Sequence, residues 1–97
     1  MILKERPTKE QIREDKPDFW LISNTSWNHK DNKPNERKLL DWLIWNVQPF
    51  DIKTKVHYLM KHHSFTESLI GMVRLLHQHN HRVYLDKNIL MIWKPEQ

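Results

Sequence analysis

The sequence predicts a mainly α chain that ends in a β-hairpin, an α+β fold. Two patterns carry that prediction: apolar residues recur at helical spacing between residues 36 and 78, and the period changes to alternation between residues 83 and 93. Length supplies the third constraint, since 97 residues bury too little surface for two independent cores. The chain therefore divides into an N-terminal arm, residues 1–35, partly extended, and a single domain, residues 36–97.

Within the arm, Thr8-Lys9-Glu10-Gln11 has the form of a capping box, which allows a short helix from Lys9 to Lys16 stopped by Pro17. Its apolar face is Ile12 alone, too little to hold it unaided. Phe19-Trp20-Leu21-Ile22 is an apolar run of four, a short strand or an apolar peg docking on the domain. Ser23 to Asn35 is polar, interrupted by Trp27 and Pro34, and reads as a loop.

The domain opens with Asn35 as N-cap and Glu36 in the first turn, and Leu39, Leu40, Leu43, Ile44 and Val47 share one helical face before Pro49. Phe50-Asp51-Ile52 follows, extended or already turning. Lys53 to His63 keeps a helical face through Val56, Leu59, Met60 and His63, with Thr54 or Asp51 as cap. Ser64-Phe65-Thr66-Glu67 repeats the capping-box pattern and opens a helix over 64–78, with Phe65, Leu69, Met72, Val73 and Leu76 as its stripe. Val83 and Leu85, then Ile89, Met91 and Trp93, alternate with Tyr84, Leu90 and Ile92 across Asp86-Lys87-Asn88, a hairpin turn by composition.

Composition excludes several classes. With no cysteine there is no disulfide framework, thiolate metal cluster or cysteine nucleophile. No apolar run approaches the roughly 18 residues of a membrane span, and Met1 to Glu10 is charged rather than leader-like, so the expectation is a soluble, cytoplasmic protein without a membrane partner. No glycine-rich phosphate loop or nucleophile–base motif occurs, which argues against an enzyme and against a cofactor. Sixteen Lys and Arg against twelve Asp and Glu give a net charge of +4, which favours a polyanionic partner.

Helix, short link, helix, tight turn, helix, hairpin is the element order of a winged helix-turn-helix domain. Residues 36–93 resemble in layout the compact modules of that kind found in small phage, plasmid and prokaryotic DNA-binding proteins, with Phe50-Asp51-Ile52 where the first strand stands and His62-His63-Ser64 as the inter-helix turn. One departure is the lack of a glycine in that turn. The resemblance implies binding to duplex DNA in transcription regulation or replication, with helix 64–78 as recognition helix and hairpin 83–93 as wing. With Leu69, Val73 and Leu76 inward, the outward positions are Glu67, Gly71, Arg74 and Gln78, flanked by Thr66, Ser68 and Ile70. Arg74 and Gln78 have base-reading chemistry, Glu67 accepts from cytosine, and Ser64, Thr66 and Ser68 donate to phosphate. Lys53, Lys55, Arg82 and Lys87 are the matching phosphate contacts.

Two other features stand out. His77, His79 and His81 have a ligand-like spacing, but the run crosses a helix end, where positions two apart diverge by about 200°, so no metal is assigned to it. Of five tryptophans, Trp42 and Trp45 point away from the stripe of their helix. Either Phe19 to Ile22 covers them or another chain does, as a homodimer or a protein partner. The rival function is accordingly a small winged-helix-like adaptor or inhibitor, such as a viral protein acting on host machinery, that binds a protein through Trp42 and Trp45.

Overall fold

The computed structural model describes residues 2–25, 27, 32–47 and 51–96. Among these residues the fold is α+β, with four helices and one antiparallel sheet: α1 (Lys9–Glu14), β1 (Phe19–Ile22), α2 (Lys33–Asn46), α3 (Asp51–His62), α4 (Phe65–Gln78), β2 (His81–Leu85) and β3 (Ile89–Pro95). No helix among the described residues is long and apolar enough to cross a membrane.

The sheet runs β1-β3-β2, with Phe19 opposite Ile92, Leu21 opposite Leu90 and Val83 opposite Ile92. Partners in register share a face, so one side of the sheet presents Leu21, Val83, Leu90 and Ile92 to the helices. These residues are buried with Leu39, Leu43 and Val47 of α2 and its end, Val56 of α3, and Leu69, Met72, Val73 and Leu76 of α4. Each such side chain contributes on the order of 1.5–3 kcal/mol of apolar burial.

The third strand does not come from the link between the second and third helices. Asp51 and Ile52 form the first turn of α3, while Phe50 lies outside the described residues. The strand beside the hairpin is β1, the apolar run that precedes α2. α2 also starts earlier than its pattern suggests: Lys33 and Pro34 are its first residues, since a proline at a helix start gives up an N–H that has no partner there anyway. Asn35 is therefore not the cap. Its side-chain amide donates to the Ile22 carbonyl at 3.1 Å and to Asn32 Oδ1 at 3.1 Å, fixing the start of α2 against β1.

The far face of the sheet carries Tyr84, Met91 and Trp93, and the N-terminal segment covers it with Leu3 and Ile12. Ile12 thus has a partner surface, and the Thr8–Gln11 capping box closes on both sides, Gln11 N–H donating to Thr8 Oγ1 and Thr8 N–H to Gln11 Oε1. The Leu3 amide bonds the Val83 carbonyl at 2.8 Å along the outer edge of β2. At the other end of the fold, α4 stops at a left-handed residue, Asn80 (φ 71°), a conformation that asparagine tolerates better than most side chains.

Candidate nucleic-acid interface

α4 is built as its pattern predicts on the buried side, and its first turn is capped by Ser64, whose Oγ accepts the Glu67 N–H at 3.2 Å. The Glu67 carboxylate accepts from Ser64 Oγ at 3.2 Å and lies 3.2 Å from His63 Nδ1. Glu67 thereby completes the helix start. The side chains that face solvent along α4 are Glu67, Ile70, Arg74, His77 and Gln78.

Two expected members of that face are elsewhere. Gly71 turns toward α3, where a Cβ would stand 2.9 Å from Leu59 Cδ1, so the helix carries its glycine for the approach of α3 and not of a duplex. Ser68 is 1% exposed, on the buried side of α4. Its hydroxyl has no hydrogen-bond partner among the described residues, and, buried, it is not placed to reach a phosphate. Ser68→Ala is expected to raise stability by about 1 kcal/mol, removing an unsatisfied hydroxyl and improving helix propensity. A thermal melt would read this as a Tm higher by about 4–8 °C.

The hairpin turn is held beside the start of α4 by Ser23 and Trp27, from a stretch whose polar composition predicts only a loop. Ser23 N–H donates to the Asn88 carbonyl at 2.7 Å, and Asn88 Nδ2 returns a bond to the Ser23 carbonyl at 3.0 Å. Trp27 is buried, its indole N–H donating to the Asp86 carbonyl at 2.7 Å and its ring edge-on to Phe65, 6.2 Å between centroids. Asn24, Thr25, Trp27, Thr66, Lys87 and Asn88 consequently line one cleft of about 510 Å³. The signal for Trp27 was available: a tryptophan isolated in a polar loop has to find an apolar seat.

Asp86 organises the turn itself. One carboxylate oxygen accepts the N–H groups of Asn88 (2.7 Å) and Ile89 (2.9 Å), and the other accepts the Tyr84 hydroxyl (2.7 Å) and the Arg6 guanidinium. Burial raises the pKa of this carboxyl, but the Arg6 guanidinium and the Asn88, Tyr84 and Ile89 donors outweigh burial and hold it well below the usual carboxylate range. Burial, then the bond to Asp86, pushes the Tyr84 hydroxyl above its ordinary value, against a smaller lowering by Arg6. The acid at the turn is neutralised, leaving Lys87 as its exposed charge.

Arg82 does not face the helix side of the sheet. Its neighbour Val83 faces the helices, so Arg82 faces the opposite side of the sheet, where it pairs with Asp15 and lies over the Trp93 ring at 4.6 Å. The Trp93 indole N–H donates to the Asp15 carbonyl at 2.9 Å. Lys55 is exposed and Lys53 half-buried on the first turns of α3, and Lys61 is exposed near its end.

The three spaced histidines diverge. His77 is exposed on α4, His79 caps the helix, and His81 is buried at the start of β2 with Nδ1 2.7 Å from the Trp93 carbonyl. No group of three potential metal ligands comes together among the described residues. The two helix-α2 tryptophans also part company: Trp42 is half-buried, stacked on Phe19 at 5.0 Å, whereas Trp45 remains 83% exposed. The apolar run of β1 covers one and not the other. The chain matches no family model, no curated protein and no solved structure.

Proposed function

We propose that the chain binds duplex DNA as a winged helix-turn-helix protein, a regulator or accessory factor of transcription or replication. α3 and α4 are the helix-turn-helix pair, α4 enters the major groove, and the β2–β3 hairpin is a short wing. One observation carries the reading: Lys87 and Asn88 of the hairpin turn stand across a single cleft from Thr66 in the first turn of α4. Further along the same helix Arg74 and Gln78 face outward, with chemistry suited to guanine and adenine edges. Lys53 and Lys55 lie on the helix that flanks α4, where a duplex backbone would pass.

The footprint is smaller than the sequence alone suggests, since Arg82 and Ser68 are withdrawn. About four phosphates are in reach, which sets a slope of log affinity against log salt near −3.5. Fluorescence anisotropy with a random-sequence duplex at several salt concentrations tests this. Arg74→Ala is expected to weaken binding to a selected site by about 1–3 kcal/mol, and Lys87→Ala to cost less and flatten the salt slope by about one unit. Arg82→Ala should leave the slope unchanged. Absence of salt-dependent binding, or a full loss on Arg82→Ala alone, would sink this docking mode.

A further inference from the structure

We propose that the cleft between the hairpin turn and α4 is an oxyanion pocket that seats a single phosphate group, with Asn24 and Thr25 of the segment after β1 as its third wall. That the phosphate belongs to a duplex backbone rests on the DNA reading; that the cleft holds a phosphate does not. Asn24 and Thr25 lie outside both the helix-turn-helix pair and the hairpin. The pocket therefore assigns a contact that the winged-helix layout does not supply.

Its donors come from three places in the chain. Thr66 stands on the first turn of α4, Lys87 in the hairpin turn, and Asn24 and Thr25 beyond the end of β1. Two hydroxyls, a side-chain amide and an ammonium thus border one space, a mixture from which phosphate oxygens can accept. The third wall is fixed to the turn. Ser23 Oγ accepts the Thr25 N–H at 3.3 Å and donates to the Thr25 carbonyl at 2.8 Å, while Ser23 and Asn88 bond each other in both directions. Those bonds take up the main chain of Thr25 and not its hydroxyl, and the residue is exposed.

Charge favours the same class of occupant. Among the described residues no carboxylate lines the cleft, and Lys87 pairs with none. The acids that neighbour the lining residues in sequence are engaged elsewhere: Asp86 with Arg6 and Tyr84, Glu67 with Ser64 and His63. One unpaired cation among neutral donors suits one negative group. Size then selects its form. At about 510 Å³ the cleft matches pockets that hold whole organic ligands, roughly 300–1,000 Å³. Room remains beside the phosphate for the sugars of an ester, with Trp27 as part of the wall, so the backbone phosphate fits better than the free ion.

NMR of the isotope-labelled full chain tests the pocket, and duplex binding tests its source. Inorganic phosphate is titrated to about 50 mM, well above the millimolar Kd expected of one cation and a few hydrogen bonds, against sodium chloride of equal ionic strength. Phosphate and not chloride should move the Thr25, Lys87 and Asn88 amides and the Trp27 indole N–H together. Thr25→Val keeps the side-chain shape and removes the hydroxyl, so duplex affinity should fall about five- to tenfold. The salt slope should stay unchanged, because a neutral donor releases no counterion. Thr25→Ser should restore the affinity. Amides that stay in place under phosphate overturn the proposal, whatever the duplex does. Amides that move in a protein that ignores duplex DNA keep the pocket, with the free ion as its ligand, and overturn the DNA reading. A wild type that binds duplex no more tightly than Thr25→Val keeps the DNA reading and overturns the pocket.

Discussion

Trp27→Ala is expected to lower stability by about 3–5 kcal/mol, the range for removing a large aromatic from a packed site. For a domain of this length that corresponds to a Tm lower by roughly 12 °C or more in a thermal melt. The size follows from position. The indole is 5% exposed, meets Phe65 edge-on at the start of α4, and donates to the Asp86 carbonyl in the hairpin turn. Truncation leaves a void between helix and sheet and a turn carbonyl without its donor. Trp27→Phe keeps most of the apolar contact and loses only the N–H, so it should cost about 1–2 kcal/mol. If both substitutions cost less than about 1 kcal/mol, Trp27 does not fasten the turn to α4. On the proposed DNA-binding reading, duplex affinity should also fall under conditions where Trp27→Ala remains folded, because this ring lines the cleft between Thr66 and Lys87.

Periodicity made much of the fold legible. The stripe from Leu69 to Leu76 and the alternation on either side of Asp86 identified α4, β2 and β3, since both patterns extend over enough residues to separate a period of 3.6 from a period of two. Four apolar residues from Phe19 do not separate them, and their partner strand lies some seventy positions away. The winged-helix layout instead points to Phe50-Asp51-Ile52 as the third strand, of which Asp51 and Ile52 belong to the first turn of α3. Arg82 shows a second limit: its alternation with Val83 sets its face, but only the fold brings Leu3 and Ile12 over that face and Asp15 within ion-pair reach. Ser68 shows a third. A helical stripe read from apolar residues alone stays narrow, whereas the buried side of α4 includes Ser68, and Gly71 meets Leu59 of α3.

Asp86→Ala is expected to cost about 2–3 kcal/mol, the scale for stranding several donors of a partly buried, charge-assisted network. Four groups lose their acceptor at once: the N–H groups of Asn88 and Ile89, the Tyr84 hydroxyl and the Arg6 guanidinium. Asp86→Asn separates the contributions, because its amide oxygen still accepts the two backbone N–H groups while the charge that holds Arg6 is gone. It should cost about half as much. The pH dependence gives the sign independently of the substitutions. The folded-state pKa lies far below the value near 4 of an unfolded aspartate. The stability that Asp86 supplies is therefore fully present above about pH 4 and drains away as pH falls toward the folded value. Wild-type melts between pH 6 and about pH 2 should show this acid loss, and the same melts of Asp86→Asn should lack its part of it. Equal acid slopes in the two proteins would place the low carboxyl pKa at some other residue. Because Arg6 reaches the turn from the N-terminal segment, losing this carboxylate should also loosen the cover over Tyr84, Met91 and Trp93. Amide exchange at Leu3, whose N–H bonds the Val83 carbonyl, should accelerate in Asp86→Asn before exchange in α4 does.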